Sequence, residues 1–339
     1  MGNDEFVVKI KALTPIWTGD ASRRNTTLRE TGIVGSLRWW YEALIRGLGG
    51  YACDPTSDNR CLLNQNKFKK ALREGKSEQE ALSEQICPAC QLFGCTGWSR
   101  KFILRILDKG GRVKVGPIEE NEELTLKFIP VKNVENEEWA LLNLTLHFIA
   151  EYGALGGKTV LKPSNEENRE NAFHHRDFGL VEIIESTLKV LHKRDLERYV
   201  KTASRTFTNR REFRWASIKY FWCVKGRYLA RESIDTSSFN RVVGRKESKN
   251  GANQFSDMND NVSKWLAGSQ KESKKIFSFK NPPRTFGFIN PVIKMNFGTI
   301  RERLKIVWGE ESENDWEFLA GDRILDLLYE EYWGDQNDL

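Results

Sequence analysis

Apolar and polar side chains along the first half of the chain fall into two alternating periods. Phe6, Val8, Ile10 and Ala12 alternate with Val7, Lys9 and Lys11, the two-residue repeat of a strand with one covered face. After a polar, basic stretch from Ser22 to Thr31, apolar residues recur at Ile33, Leu37, Trp40, Tyr41, Leu44, Ile45 and Leu48, which is helical spacing, and Gly49-Gly50 ends it. Residues 101–108 (KFILRILD) read as a strand and Gly110-Gly111 as a turn. Leu124, Leu126 and Phe128 against Thr125 and Lys127 read as the next strand. Asn136 to Tyr152 keeps a helical period but is apolar almost all round, so it must be buried. A glycine-rich stretch, GALGGKTVLKPS (153–164), a polar insertion and a last apolar run, GLVEIIES (179–186), complete this half.

The resulting order of strand, helix, strand, strand, helix, strand predicts a ferredoxin-like βαββαβ unit over residues 1–186. RNA-recognition modules use this architecture, although fold alone does not fix function. Two insertions interrupt the unit. Residues 50–98 carry five cysteines and a polar helix near Phe68 to Gln85, and residues 164–177 (SNEENRENAFHHRD) precede the last strand. Loops inserted at the edge of a rigid sheet are where binding groups usually sit. In residues 187–339 the pattern predicts strands at Phe213 to Val224, 286–296 and 302–308 and a helix from Asp322 to Trp333. Ser233 to Asn261 reads as a long, polar, mobile loop and Pro282-Pro283 as a boundary. The expected class is therefore α+β, with two ferredoxin-like units in tandem, the second degenerate.

With 39% apolar and 29% charged residues, the composition is that of a globular protein. The most apolar stretch, Leu141 to Ala150, contains Asn143, Thr145 and His147 and is far short of the roughly 20 residues that cross a bilayer. The N-terminus shows neither a basic nor an apolar signal region, so a cytoplasmic location and no membrane partner are expected. Charge is uneven. Thirteen Lys or Arg residues between Lys189 and Arg231 face three acids (Asp195, Glu197, Glu212), a local +10 within a chain of net +6. Such a run suits a phosphate backbone, and a solvated helix face followed by an exposed loop would read the same way.

Cys87-Pro-Ala-Cys90 has the spacing with which two thiolates hold one tetrahedral zinc, and Cys53 and Cys61 are candidates for the other two ligands. Cys95 is an equally available partner, and buried reduced thiols are the alternative. Gly153, Gly156 and Gly157 let the backbone approach a ligand, with Lys158, Thr159 and Lys162 next to them as phosphate donors. This is not a Walker loop, since it follows a helix, and a helix C-cap with a turn reads equally from the pattern. Gly35-Ser36-Leu37-Arg38 is read as opening the first helix, where its positive end suits a phosphate, with Arg23, Arg24 and Arg29 just upstream. His174-His175 could act as general acid and base in a metal-independent ribonuclease, or be surface histidines. The sequence holds no HExxH, no GxSxG and no closely spaced acidic cluster.

KALTPIWTGD (11–20), ETGIVGSLRWWYEALIRGLGGYACDP (30–55) and CPACQLFGCTGW (87–98), which includes Leu92-Phe93-Gly94, resemble the RAMP proteins of CRISPR systems, among them those of type III-B (Cmr) effector complexes. The likeness is motif-dense over about residues 6–185. Beyond that it lies mainly in element order and aromatic content. The resemblance implies two ferredoxin-like units, a non-catalytic role and no required cofactor. It also implies binding of guide (CRISPR) RNA and target single-stranded RNA near the guide 3′ end, at the tip of an assembly with other Cmr-complex RAMP subunits. Carried onto this sequence, Ser36, Arg38, Gly156, Gly157, Lys158 and Thr159 would contact the RNA backbone, with Lys162 as a further phosphate donor after the glycines and Arg23, Arg24 and Arg29 added through proximity. The glycine stretch departs from the family pattern in being less glycine-rich and less basic. Trp17 and Trp39 offer stacking faces for unpaired bases, about 1–3 kcal/mol each, or are core residues. The alternative function is an endoribonuclease that processes guide RNA with His174 or His175, as related RAMP enzymes do.

Overall fold

The computed structural model describes residues 5–19, 24–158, 162–169, 172–207, 213–247, 260–269, 272–311 and 315–333. Its first half runs β1 (Phe6–Ala12), α1 (Glu30–Gly47), α2 (Gln65–Arg73), α3 (Glu78–Ser83), α4 (Pro88–Phe93), β2 (Phe102–Asp108), β3 (Glu123–Pro130), α5 (Asn136–Tyr152) and β4 (Val181–Ser186). The four strands form an antiparallel sheet in the order β2-β3-β1-β4, consistent with the expected ferredoxin-like unit. Val8, Ile10 and Ala12 of β1 are buried under the helices, while Lys9 on the other face pairs with Glu185 at 2.6 Å.

The second half runs α6 (Lys193–Ala203), β5 (Phe221–Lys225), α7 (Ser238–Val243), α8 (Asn261–Ala267), β6 (Ile276–Lys280), β7 (Pro283–Phe288), α9 (Phe297–Trp308), β8 (Leu319–Ala320) and α10 (Asp322–Trp333). Its sheet is also four-stranded and antiparallel, in the order β6-β7-β5-β8. Counted from β5, that is the strand order of the first sheet.

Several local expectations change. Residues 302–308 belong to a helix rather than a strand. Asn296 and Thr299 cap its start reciprocally, and the side chains it buries, Ile300, Arg303 and Leu304, lie three and four residues apart. Only the end of 213–224 is extended, because a 3-10 turn occupies Ile218–Tyr220. Pro282-Pro283 sits in the tight connection between β6 and β7 and is no boundary. The stretch read as a loop from Ser233 contains α7, whose start is capped by Ser237, and residues 248–259 of it lie outside the described residues. The helix predicted near 68–85 is two helices, the second restarted by a capping box of Ser77 and Glu80.

The layers explain why the helix at 136–152 is apolar all round. On one side α1 and α5 cover the first sheet; on the other they meet Phe221, Phe286 and Phe288 of the second. Trp40 of α1 is at the centre, with ring centroids 5.3 Å from Phe148, 5.8 Å from Phe221 and 5.9 Å from Phe286. The far face of the second sheet, with Trp222 and Val224, is covered by α7, α8 and α9. A buried ion pair, Lys101 to Glu138 at 2.8 Å, ties the chain just before β2 to α5.

His147 of α5 is buried beneath α10, 4.3 Å from the Tyr332 ring and 5.3 Å from Trp333, with no hydrogen-bond partner for Nδ1 among the described residues. Burial lowers its pKa to about 4, against a smaller opposing pull from Glu151. The unfolded chain therefore takes up this proton first. The stabilisation is intact above roughly pH 6.5 and is lost as pH falls toward the folded value. Stability should drop between pH 7 and pH 4.5 by about 2–3 kcal/mol less in His147→Phe than in the native chain. Urea midpoints at the two pH values measure this, and an identical drop would show that His147 does not carry it.

Candidate nucleic-acid interface and metal centre

The glycine stretch after α5 is held by hydrogen bonds from four directions. Gly153 C=O accepts from buried Arg284 of β7 at 2.9 Å, and Ala154 C=O accepts from Trp40 Nε1 at 2.9 Å. Gly156 N–H donates to Ser36 Oγ at 3.0 Å, and Gly157 N–H to the Trp17 carbonyl at 2.8 Å. Gly156 has φ +116°, and a Cβ on it would lie 2.7 Å from that same carbonyl, so only glycine fits. The turn therefore lies against the segment that leaves β1, and Lys158 emerges beside it.

There Trp17 meets Phe173 and Phe178, with ring centroids 4.8 and 5.7 Å away. The Lys158 ammonium lies 3.6 Å from the Phe173 centroid, 5.0 Å from Trp17 and 5.3 Å from Phe178, with no ion-pair partner among the described residues. Desolvation lowers its pKa. An adjoining cavity of about 440 Å³ is lined by Trp17, Arg24, Glu119, Phe173, Arg176 and Phe178. Arg24 and Arg176 are exposed, and Phe173 is 46% exposed. The loop that carries Arg24 is pinned by Asn25, which accepts the Thr18 N–H at 3.0 Å and donates to the Ile16 carbonyl at 3.3 Å. Rings and exposed guanidiniums at one open cavity, with the Lys158 ammonium on those rings, suit unpaired bases and their phosphates.

Of the residues predicted for this surface, the structure brings together Trp17, Arg24, Gly156, Gly157 and Lys158. Arg23 and Thr159 lie outside the described residues. Arg29 is exposed at the residue before α1. Since α1 begins at Glu30, Ser36 and Arg38 lie inside it and do not open it. Ser36 positions the glycine turn. Arg38 turns the other way, donating to Glu42 Oε1 at 2.8 Å, Gly94 C=O at 2.8 Å and Cys90 Sγ at 3.2 Å. Trp39 packs edge-on against Trp40 and Phe288. Lys162 reaches Asn240 Oδ1 at 3.2 Å, and its carbonyl lies 2.7 Å from His175 Nδ1. His175 Nε2 is buried without a partner among the described residues, and burial lowers the ring's pKa. His174 is exposed, its ring tilted against that of His175 with centroids 4.1 Å apart. Phe173, Arg176 and Phe178 were missed as site residues; their only signal is the interleaving of rings and cations in Phe173-His-His-Arg-Asp-Phe178.

The insertion closes around sulfur. Sγ atoms of Cys53, Cys61, Cys87 and Cys90 all lie within 4.8 Å of one another, and all four residues are buried. Cys53 and Cys90 are 3.6 Å apart, near the roughly 3.8 Å edge of a tetrahedron with 2.3 Å zinc–sulfur bonds. Cys95 lies outside the set, and its thiol donates to the Thr96 carbonyl at 3.6 Å. Cys87 precedes α4, whose first residue is Pro88, and its N–H donates to Cys61 Sγ at 3.3 Å. Arg38 touches Cys90, and Arg46 donates to the Ala52 and Cys53 carbonyls at 3.1 and 3.2 Å. Two guanidiniums thus stand where four thiolates on one zinc would leave excess negative charge, and Glu42 lies between them. The donor set fits a structural zinc.

Together these features describe an α+β protein with two four-stranded antiparallel sheets and a cysteine-braced insertion. Residues 9–161, from β1 through the glycine turn, match the sequence model of the RAMP superfamily. No curated protein matches the sequence. Among solved structures, the chain is similar to apo Cmr1 from Pyrococcus furiosus, at 11% identity and TM-score 0.37, over 84% of this chain and 88% of that one. It is also similar to a chain of the type III-B Cmr-beta complex bound to cognate target RNA, at 12% identity and TM-score 0.31, over 61% and 58% of the two chains. A third is a chain of that complex with target RNA and AMPPnP in the presence of single-stranded DNA, at 11% identity and TM-score 0.38, over 84% and 94%.

Elemental analysis after zinc-replete expression should find about one zinc per chain, and Cys87→Ser should lose it along with several kcal/mol of stability. Zinc content near zero in the folded native chain would discard the site. Arg38→Glu places a carboxylate against the sulfurs and should lower zinc content and melting temperature, whereas Lys158→Glu should change neither.

Proposed function

We propose that this chain is a non-catalytic RNA-binding subunit of a type III-B CRISPR effector complex, the first Cmr subunit. In this reading it holds guide or target single-stranded RNA near the guide 3′ end, beside other RAMP subunits. The observation that carries RNA binding is Lys158, seated on three rings that also line an open cavity with Arg24 and Arg176. Placement in an effector complex rests on the RAMP match over 9–161 and on the motifs at 11–20, 30–55 and 87–98.

Sheet-face stacking, as in RNA-recognition modules, is a poor fit here. The open face of the first sheet carries Lys9, Arg105 and Lys127, each paired with a glutamate, and no aromatic residue among the described positions. Binding through the loops at the sheet's end is the better fit. The region also favours holding over cutting, since the second ring nitrogen of His175 is sealed from solvent.

Fluorescence anisotropy with labelled single-stranded RNA, duplex RNA and single-stranded DNA at two salt concentrations tests the reading. Single strands should bind better than duplex and more weakly at high salt. Lys158→Glu should cost at least about tenfold and reduce the salt slope by about 1, and Phe173→Ala should cost about 1–3 kcal/mol. Unchanged affinity in both variants would remove this surface. Cleavage on a gel that disappears in His174→Ala/His175→Ala would replace the reading with the ribonuclease.

A further inference from the structure

A second cavity, of about 460 Å³, lies at the other end of α1, where the helix C-terminus meets α6 and the 3-10 turn before β5. Eighteen residues of helix separate it from the Trp17 site by roughly 27 Å. Lys201, Arg214 and Lys219 line it with Tyr51, Ser204 and Tyr220, and among the described residues none that lines it is acidic. Gly49, at φ +87°, forms part of the wall; a Cβ there would stand 2.9 Å from Lys201 Cε, so glycine lets the lysine lie close.

The basic run from Lys189 to Arg231 acquires a meaning here. Many of its cations are answered locally: Lys193 by Asp326 at 2.6 Å, Arg198 by Asp195 at 2.5 Å, Lys201 by Glu197 at 3.1 Å, Arg231 by Glu166 at 2.8 Å. Lys225 and Arg227 likewise pair with Glu151 and Asp315. Arg214 and Lys219 are exposed and have no carboxylate partner among the described residues, and both face this cavity. Ser204 Oγ accepts the Tyr51 N–H at 2.8 Å and keeps its own proton to give. Tyr51 stacks on Phe207 at 5.1 Å, so the inner wall is aromatic.

Two unpaired cations, a third lysine, a hydroxyl and aromatic walls around a volume of small-molecule size describe a site for one phosphate attached to a flat ring. We infer that this cavity binds a nucleotide phosphate, with Arg214 and Lys219 as its principal partners. This goes beyond RNA binding at the Trp17 site and does not depend on it. The chemistry is shared by a free mononucleotide and by the phosphorylated end of a strand.

Titration calorimetry of the full chain at low salt, with uridine, uridine 5′-monophosphate and uridine tetramers with and without a 3′-phosphate, tests it. The monophosphate should bind at least tenfold more tightly than the nucleoside. Arg214→Glu/Lys219→Glu should lose at least tenfold, and the neutral pair Arg214→Gln/Lys219→Gln, with an unchanged melting temperature, should lose less. A tenfold gain from the tetramer's terminal phosphate would assign the site to a strand end, and binding of the mononucleotide without that gain to a free nucleotide. Equal binding of nucleoside and monophosphate, or full affinity in the glutamine pair, would overturn the inference. Lys158→Glu separates the two sites: it should leave mononucleotide binding intact while lowering affinity for longer RNA.

Discussion

The structure depends on burying α1 and α5 on two sides at once. A ferredoxin-like unit alone would cover one face of each helix with its own sheet and leave the other wet. Here Trp40 and Phe148 would be exposed, and each such side chain is worth about 1.5–3 kcal/mol when taken out of water. The second sheet supplies the missing cover through Phe221, Phe286 and Phe288, and is itself covered on its far face by α7, α8 and α9. The two units therefore share one core.

That shared core reaches the surface that matters for binding. Arg284 belongs to the second sheet, yet its guanidinium holds the Gly153 carbonyl of the first unit. Trp40 holds the next carbonyl, Ser36 and Trp17 hold the next two free N–H groups, and Lys158 follows. Placement of this cation is thus set by side chains of α1 and β7 and the backbone at the exit of β1, and not by the glycine stretch alone. At its other end α1 borders the basic cavity, and its middle turns Arg38 and Glu42 toward the cysteine cluster. One helix ties the three features together.

Much of this was legible from period and spacing. The alternation in β1, β2 and β3, the two helices and the last strand appear where the pattern put them, because one buried face imposes its period on the residues. The four cysteines converge as the CxxC spacing suggested, without Cys95. Reading failed where the period was short or a side chain had two uses. In 302–308 a brief apolar alternation hid a capped helix. Arg38 reads as a phosphate ligand but is spent on Gly94, Glu42 and Cys90. Trp39 reads as a stacking face but lies against the second sheet's Phe288, a contact between residues about 250 positions apart that no local pattern reports.

By itself the sequence determined the α+β class, the order of elements in the first unit, the Cys87–Cys90 pair and the basic character of 189–231. These follow from local periods, ligand spacing and charge count, which are properties of neighbouring residues. Only the tertiary structure decided that Phe173 and Phe178 join Trp17 around Lys158, and that Arg214 and Lys219 are left without a counter-charge among the described residues at a cavity. Those outcomes depend on which distant segments meet, and on which cations find an acid in space. Coulomb pairing and ring packing act through distances of a few ångströms, whatever the separation along the chain.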